Sequence, residues 1–226
     1  PSLGQRPANP VCRPQGLGPV WLQQEVEHND HALVIYLPAQ QTNPLQIALF
    51  MLANHLLSPE YFHQLRTEQQ LGYLVGTGYV PMNQKPGMAF YVQSPKTAAA
   101  DLYYATVIFY RKFLEELPEI PLSEFDQIKT SLIAQIRERD TSLASRAKRL
   151  WLAIGQGDYQ CSLSQRIQDE LAALTLSDFC DFCYTLLAPE YDAVFLATGP
   201  APTHSLMRSK TAAELAGELE LRTDWL

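Results

Sequence analysis

The sequence predicts an α+β domain in which an antiparallel-rich sheet is covered on one side by helices. Short runs of alternating apolar and polar residues read as strands, and longer capped stretches with helical periodicity separate them. In order they give two strands, helices, two strands, several helices and a last strand, with no internal repeat. A chain of 226 residues, 46% hydrophobic and 18% charged, has an ordinary globular composition and is long enough for one sizeable core or two small ones.

Residues 1–19 are rich in Pro and Gly and read as a linker, which points to a piece of a longer protein. The domain is assigned to 20–200 and a tail, with a short helix around 211–221, to 201–226. Strands are expected at 20–28 and 32–37, joined in hairpin fashion by the polar turn Glu27-His28-Asn29-Asp30-His31. Asn43 is a plausible N-cap and Pro44 suits the first helical position, so a helix opens there and runs to 57. Its apolar residues, among them Ile47, Leu49, Phe50, Leu52 and Leu57, surround most of the axis, which predicts deep burial. Ser58-Pro59 is expected to break it, with a second helix over 59–70 ended by Gly72.

Strands follow at 73–80 and 88–93, then helices at 98–117, 123–139, 142–154, 162–174 and 177–187, and a strand at 192–198. Ser123 with Asp126 resembles a capping box, and Ser177 is the expected cap of the last of these helices.

Charge and apolar runs exclude several functions. A net charge of −7, with 17 basic residues scattered among 24 acidic ones, argues against nucleic acid as a partner. No stretch approaches the roughly 18 apolar residues of a membrane span. Cys12, Cys161, Cys180 and Cys183 are too few and irregular for a disulfide framework. The C-x-x-C at Cys180 lies in an amphipathic helix without the preceding strand of a thioredoxin-type site, so a structural role for its thiols is favoured.

The most informative segment runs from Tyr61 to Tyr73, YFHQLRTEQQLGY, and sets Arg66 and Tyr73 seven residues apart around a helix-to-strand turn. A guanidinium and a phenol can hold a peptide carbonyl or an oxyanion, but they cannot by themselves activate water. The block LRTEQQLGY, the strand YLVGTGYV and a second strand ending in FYVQS resemble the C-terminal domain of the pitrilysin and insulysin zinc peptidases, the inverzincin family. The similarity runs from about residue 20 to residue 199.

The resemblance implies a pitrilysin-like domain that binds substrate and forms the wall of a closed chamber. In that family an H-x-x-E-H helix and a downstream Glu of the first domain hold zinc. The five His here, His28, His31, His55, His63 and His204, never fall in that order, so no metal ligand is assigned to this chain and it is expected to be inactive alone. Zinc is expected in the full-length enzyme. The partners implied are the N-terminal catalytic half of the same polypeptide and a peptide substrate. Arg66 and Tyr73 match the Arg and Tyr of the family that reach bound substrate, with Tyr73 the candidate oxyanion donor. A non-catalytic subunit of the same fold, serving assembly or peptide binding, is the alternative. Members with this look include periplasmic oligopeptidases and a cytoplasmic peptidase of pyrroloquinoline quinone biosynthesis, which leaves periplasm and cytoplasm open.

Bland readings compete at each position. From bare sequence, Arg66 is a solvated side chain pairing with Glu68 or Glu60, and Tyr73 is a strand residue like Tyr79 and Tyr91. Glu25, Glu27, His28 and His31 are close in sequence, but strand alternation separates them and favours a plain polar turn. His55 is expected to be a hydrogen-bonded core residue, and His63 shares a helical face with Arg66.

Overall fold

The computed structural model describes residues 11–12, 16–82, 84–137, 142–155, 157–203, 207–218 and 221–222. Most of the expected linker, His204 and the end of the predicted helix 123–139 lie outside the described residues.

The strands are β1 (Val11–Cys12), β2 (Val20–Gln23), β3 (His31–Pro38), β4 (Leu74–Tyr79), β5 (Gly87–Ser94), β6 (Val194–Ala197), β7 (Arg208–Lys210) and β8 (Leu221–Arg222). The helices are α1 (Pro44–Phe62), α2 (Ala99–Glu116), α3 (Leu122–Ile136), α4 (Leu143–Gly155), α5 (Leu163–Ala173), α6 (Leu176–Thr185) and α7 (Ala212–Glu218). Six strands form one sheet in the order β4-β5-β3-β6-β2-β7, antiparallel from β4 through β6 and parallel where β2 meets β6 and β7. β1 and β8 pair separately.

This order corrects the expected hairpin: β6 lies between β2 and β3, so the polar turn is a crossover. β6 is held there from both sides. Ala32 N–H donates to Thr198 Oγ1 (2.9 Å) and Thr198 N–H to the Ala32 carbonyl (3.1 Å), while Phe195 stacks on Trp21 at 5.9 Å.

The register divides the sheet into two unlike faces. Leu33, Ile35 and Leu37 of β3 stand beside Val92, Phe90 and Met88 of β5, and all six are buried. Val75, Phe195 and Trp21 extend that face across the sheet. Helices cover it, α1 against β4 and β5 and α2 against β3, with α3, α5 and α6 packed around α1. On the other face, Val34, Tyr36, Tyr91 and Gln93 are half-buried and Leu74 and Leu196 are exposed. An antiparallel-rich sheet clothed on one side is therefore the observed architecture.

α1 begins as its sequence dictates. Asn43 caps it by accepting from Gln46 N–H at 2.8 Å, and Pro44 occupies the first turn. Pro59 does not end it, contrary to expectation: α1 continues to Phe62 and then widens into a π-helical turn, His63–Glu68. Burial explains the continuity. Leu57, Tyr61 and Leu65 are wholly buried on one side of the rod, which offsets the backbone hydrogen bond that proline cannot donate. Tyr61 packs edge-on against Phe90 and Phe109, and its hydroxyl bonds Thr106 Oγ1 at 3.0 Å.

Two caps differ from expectation. α3 starts after Pro121 without a side-chain cap, and Asp126 pairs with Lys129 at 3.0 Å. α6 is capped by Thr175 in a reciprocal box with Asp178, one residue before its first turn, and not by Ser177. Cys180 and Cys183 are buried, unbridged thiols, and burial pushes both upward from the ordinary cysteine range. His55 is half-buried on α1 and not in the core.

Candidate functional site

The site is assembled where the π turn hands the chain to β4. Tyr61 and Leu65 bury its inner side, which leaves Phe62, His63, Arg66 and Glu68 exposed. The wide turn also changes the pairing. Gln69 N–H donates to the Gln64 carbonyl, five residues back, at 2.9 Å. The same spacing lets His63 Nε2 meet Glu68 Oε1 at 3.2 Å.

The bland reading paired Arg66 with Glu68 or Glu60; in the structure Glu68 meets His63 and Arg66 turns elsewhere. Its Nη1 donates to the Gly72 carbonyl at 2.6 Å, across the turn that separates the two site residues. The helix is not ended by a left-handed Gly72. Gln70 takes the positive φ, at 52°, and Gly72 serves close approach: a Cβ there would collide with the Gln93 carbonyl oxygen of β5. Tyr73 N–H then donates to that same carbonyl at 3.0 Å, which starts the β4–β5 ladder.

Tyr73 precedes β4 and is 48% exposed. Its hydroxyl donates to Asp30 Oδ2 at 2.5 Å, and Gln93 Nε2 lies 3.5 Å from the same oxygen. Asp30 was read only as part of a polar turn, because 43 residues separate it from Tyr73. Register brings them together. Gln93 stands opposite both Leu74 of β4 and Ala32 of β3, so the residues just ahead of those two strands share one end of the sheet. The hydrogen bond to the Asp30 carboxylate raises the Tyr73 phenol above its ordinary pKa, with slight burial and the carboxylate charge acting in the same direction.

The arrangement presents a guanidinium, a phenol and a carboxylate. Among the described residues, no group of three or more His, Cys, Asp and Glu gathers to hold a metal ion. The described residues do not fit the zinc of a metallopeptidase, and no step through zinc is assigned to this chain. Among the described residues, no helix is long and apolar enough to cross a membrane.

Fold and site together define an α+β domain with an open sheet face and a polar cluster at its end. Residues 52–151 match the family described as "PQQ synthase PqqF-like, C-terminal lobe domain 4". The chain is 27% identical over 154 residues to Protease 3 of Salmonella typhi, covering 68% of this chain and 16% of that protein. It is 31% identical over 124 residues to Coenzyme PQQ synthesis protein F of Pseudomonas aeruginosa, covering 54% of this chain and 16% of that one. The crystal structure of pitrilysin superposes with a TM-score of 0.77 at 21% identity, over 91% of this chain and 23% of its own. The chain thus spans about a sixth of the curated relatives it matches. These matches place the chain with the C-terminal domains of pitrilysin-family peptidases.

Proposed function

We infer that this chain is the substrate-binding, chamber-forming domain of a zinc-dependent peptidase whose metal is held by a separate N-terminal domain of the same polypeptide. One observation carries the reading: Arg66 and Tyr73 are exposed together beside the open end of the sheet, in a cluster without a metal site among the described residues. A peptide carbonyl entering there meets a fixed positive charge and a phenolic donor. α4 supports the part played by a larger polypeptide. Leu143, Trp151 and Ile154 share one stripe of that helix and are 84%, 75% and 44% exposed, an apolar surface of the type that another domain covers.

In this mechanism Arg66 orients the scissile segment through its backbone, and Tyr73 donates to the oxygen that gains charge in the tetrahedral intermediate. Water activation belongs to the other half. The test is steady-state kinetics of the full polypeptide. Tyr73→Phe should lower kcat roughly 10- to 1000-fold with little change in KM, the scale of a lost oxyanion donor. Arg66→Ala should raise KM as kcat falls, because the guanidinium engages substrate before and during the reaction. Zinc content should be unchanged in both. Wild-type kinetics in both variants would remove these residues from the mechanism.

A further inference from the structure

We propose that Asp30 is a positioning residue for Tyr73: its carboxylate fixes the phenol at the end of the open sheet face, aimed for delivery to substrate. The inference rests on the role given to Tyr73 above.

The geometry follows from strand register. β4 and β3 both pair with β5, and Gln93 faces Leu74 on one side and Ala32 on the other. Tyr73 and Asp30 therefore project from strands two places apart, about 10 Å between backbones, a span that a tyrosine and an aspartate together can bridge. Their contact, 2.5 Å from hydroxyl to Oδ2, is a charge-assisted hydrogen bond. Gln93 Nε2, 3.5 Å from that oxygen, steadies the carboxylate from the central strand.

Packing cannot do this work. Tyr73 is 48% exposed, whereas Tyr61, wholly buried, is fixed by the aromatic rings around it. A phenol with half its surface in water samples several rotamers unless something holds its tip, and Asp30 is the hydrogen-bond partner at that tip. The same carboxylate disfavours ionisation of the phenol.

A phenol has one hydrogen to give. In the free protein it is directed at Asp30. When a substrate oxygen gains negative charge nearby, the hydrogen bond passes from the carboxylate to that oxygen while the O–H bond stays intact. No proton leaves Tyr73, and Asp30 never touches the reacting atoms. What Asp30 supplies is a narrowed set of starting orientations, and small losses of alignment are costly in catalysis.

Kinetics of the full polypeptide and titration of the Tyr73 phenol test the inference separately. Asp30→Ala should lower kcat/KM by about 10-fold. Asp30→Asn should restore most of that loss, since an amide oxygen still accepts from the hydroxyl. In a Tyr73→Phe background, Asp30→Ala should cost nothing further, as residues acting through one contact are not additive. In 226-residue protein carrying tyrosine labelled at the ring Cζ, the Tyr73 resonance should titrate at lower pH in both Asp30 variants than in wild type.

Several results would overturn it: an unchanged or faster Asp30→Ala enzyme, an equal loss in the Tyr73→Phe background, or a Tyr73 titration that does not move. The reading of Tyr73 fails by a different signature. Tyr73→Phe would then be kinetically silent, and the phenol titration alone would still decide whether Asp30 holds the side chain.

Discussion

Gly72→Ala tests the join on which the site depends. The glycine has no positive φ, so alanine meets no backbone penalty there, and the whole cost is steric. Its methyl would land on the Gln93 carbonyl oxygen and within 3.0 Å of Val92 Cγ1. A backbone oxygen in a central ladder cannot swing aside as a flexible side chain would. The start of β4 must move, which strains the Tyr73 N–H to Gln93 bond of 3.0 Å and the Arg66 to Gly72 bond of 2.6 Å. Overpacking of this kind costs about 1–3 kcal/mol, and one lost backbone hydrogen bond adds about 1 kcal/mol. The Arg66 bond is discounted, because that side chain is exposed. The sum is about 2–4 kcal/mol. Gly78, within β4, is the control: the nearest atom to its added Cβ is Val80 Cγ2 at 3.5 Å, an ordinary contact. Gly78→Ala should fall within about 0.5 kcal/mol of wild type. Urea denaturation of the three proteins followed by far-UV circular dichroism reads both values. Equal midpoints for Gly72→Ala and Gly78→Ala would refute the close-approach argument.

Two further perturbations probe the body of the fold. Lys129 is a buried cation whose Nζ donates to the Leu174 carbonyl at 2.8 Å and meets Asp126 at 3.0 Å, so Lys129→Met should cost about 2 kcal/mol by leaving the Leu174 carbonyl, just past α5, without that donor, as urea denaturation would show. Burial pushes the phenols of Tyr36 and Tyr79 from 10.0 up to about 12, so the unfolded chain loses these protons first. Stability should be undiminished below pH 10 and fall as pH rises toward 12, and a flat urea midpoint across that window would contradict the assignment.

Local signals in the sequence were legible wherever the chain's own neighbours decide the structure. Asn43-Pro44 starts α1 because the cap and the first turn are consecutive residues. The all-round apolar pattern of α1 translated into burial of Ile47, Phe50, Leu52 and Leu57. Signals failed where a distant segment decides. The tie of Thr198 to Ala32 spans 166 residues and places β6 where a local reading saw a hairpin. Pro59 looked like a stop because the partners that bury Tyr61 and carry the helix past it come from β5 and α2. A π turn also has no sequence pattern of its own, so the His63–Glu68 pair could not be foreseen.

The site was half legible for the same reason. Arg66 and Tyr73 were found through a contiguous block, whereas Asp30 and Gln93 belong to other strands and are found only through register. That register makes the cluster one mechanical unit. Arg66 holds the Gly72 carbonyl, the next peptide N–H holds Gln93, the Gln93 side chain approaches Asp30, and Asp30 receives the Tyr73 hydroxyl. A change at Arg66 therefore reaches Tyr73 through the turn even if the guanidinium never meets a substrate. Loss of activity in Arg66→Ala alone cannot separate contact with substrate from loss of the clamp. The separation comes from the phenol: a guanidinium that acts only as a clamp would shift the Tyr73 titration together with kcat, whereas one that binds substrate would raise KM while the titration stays where it was.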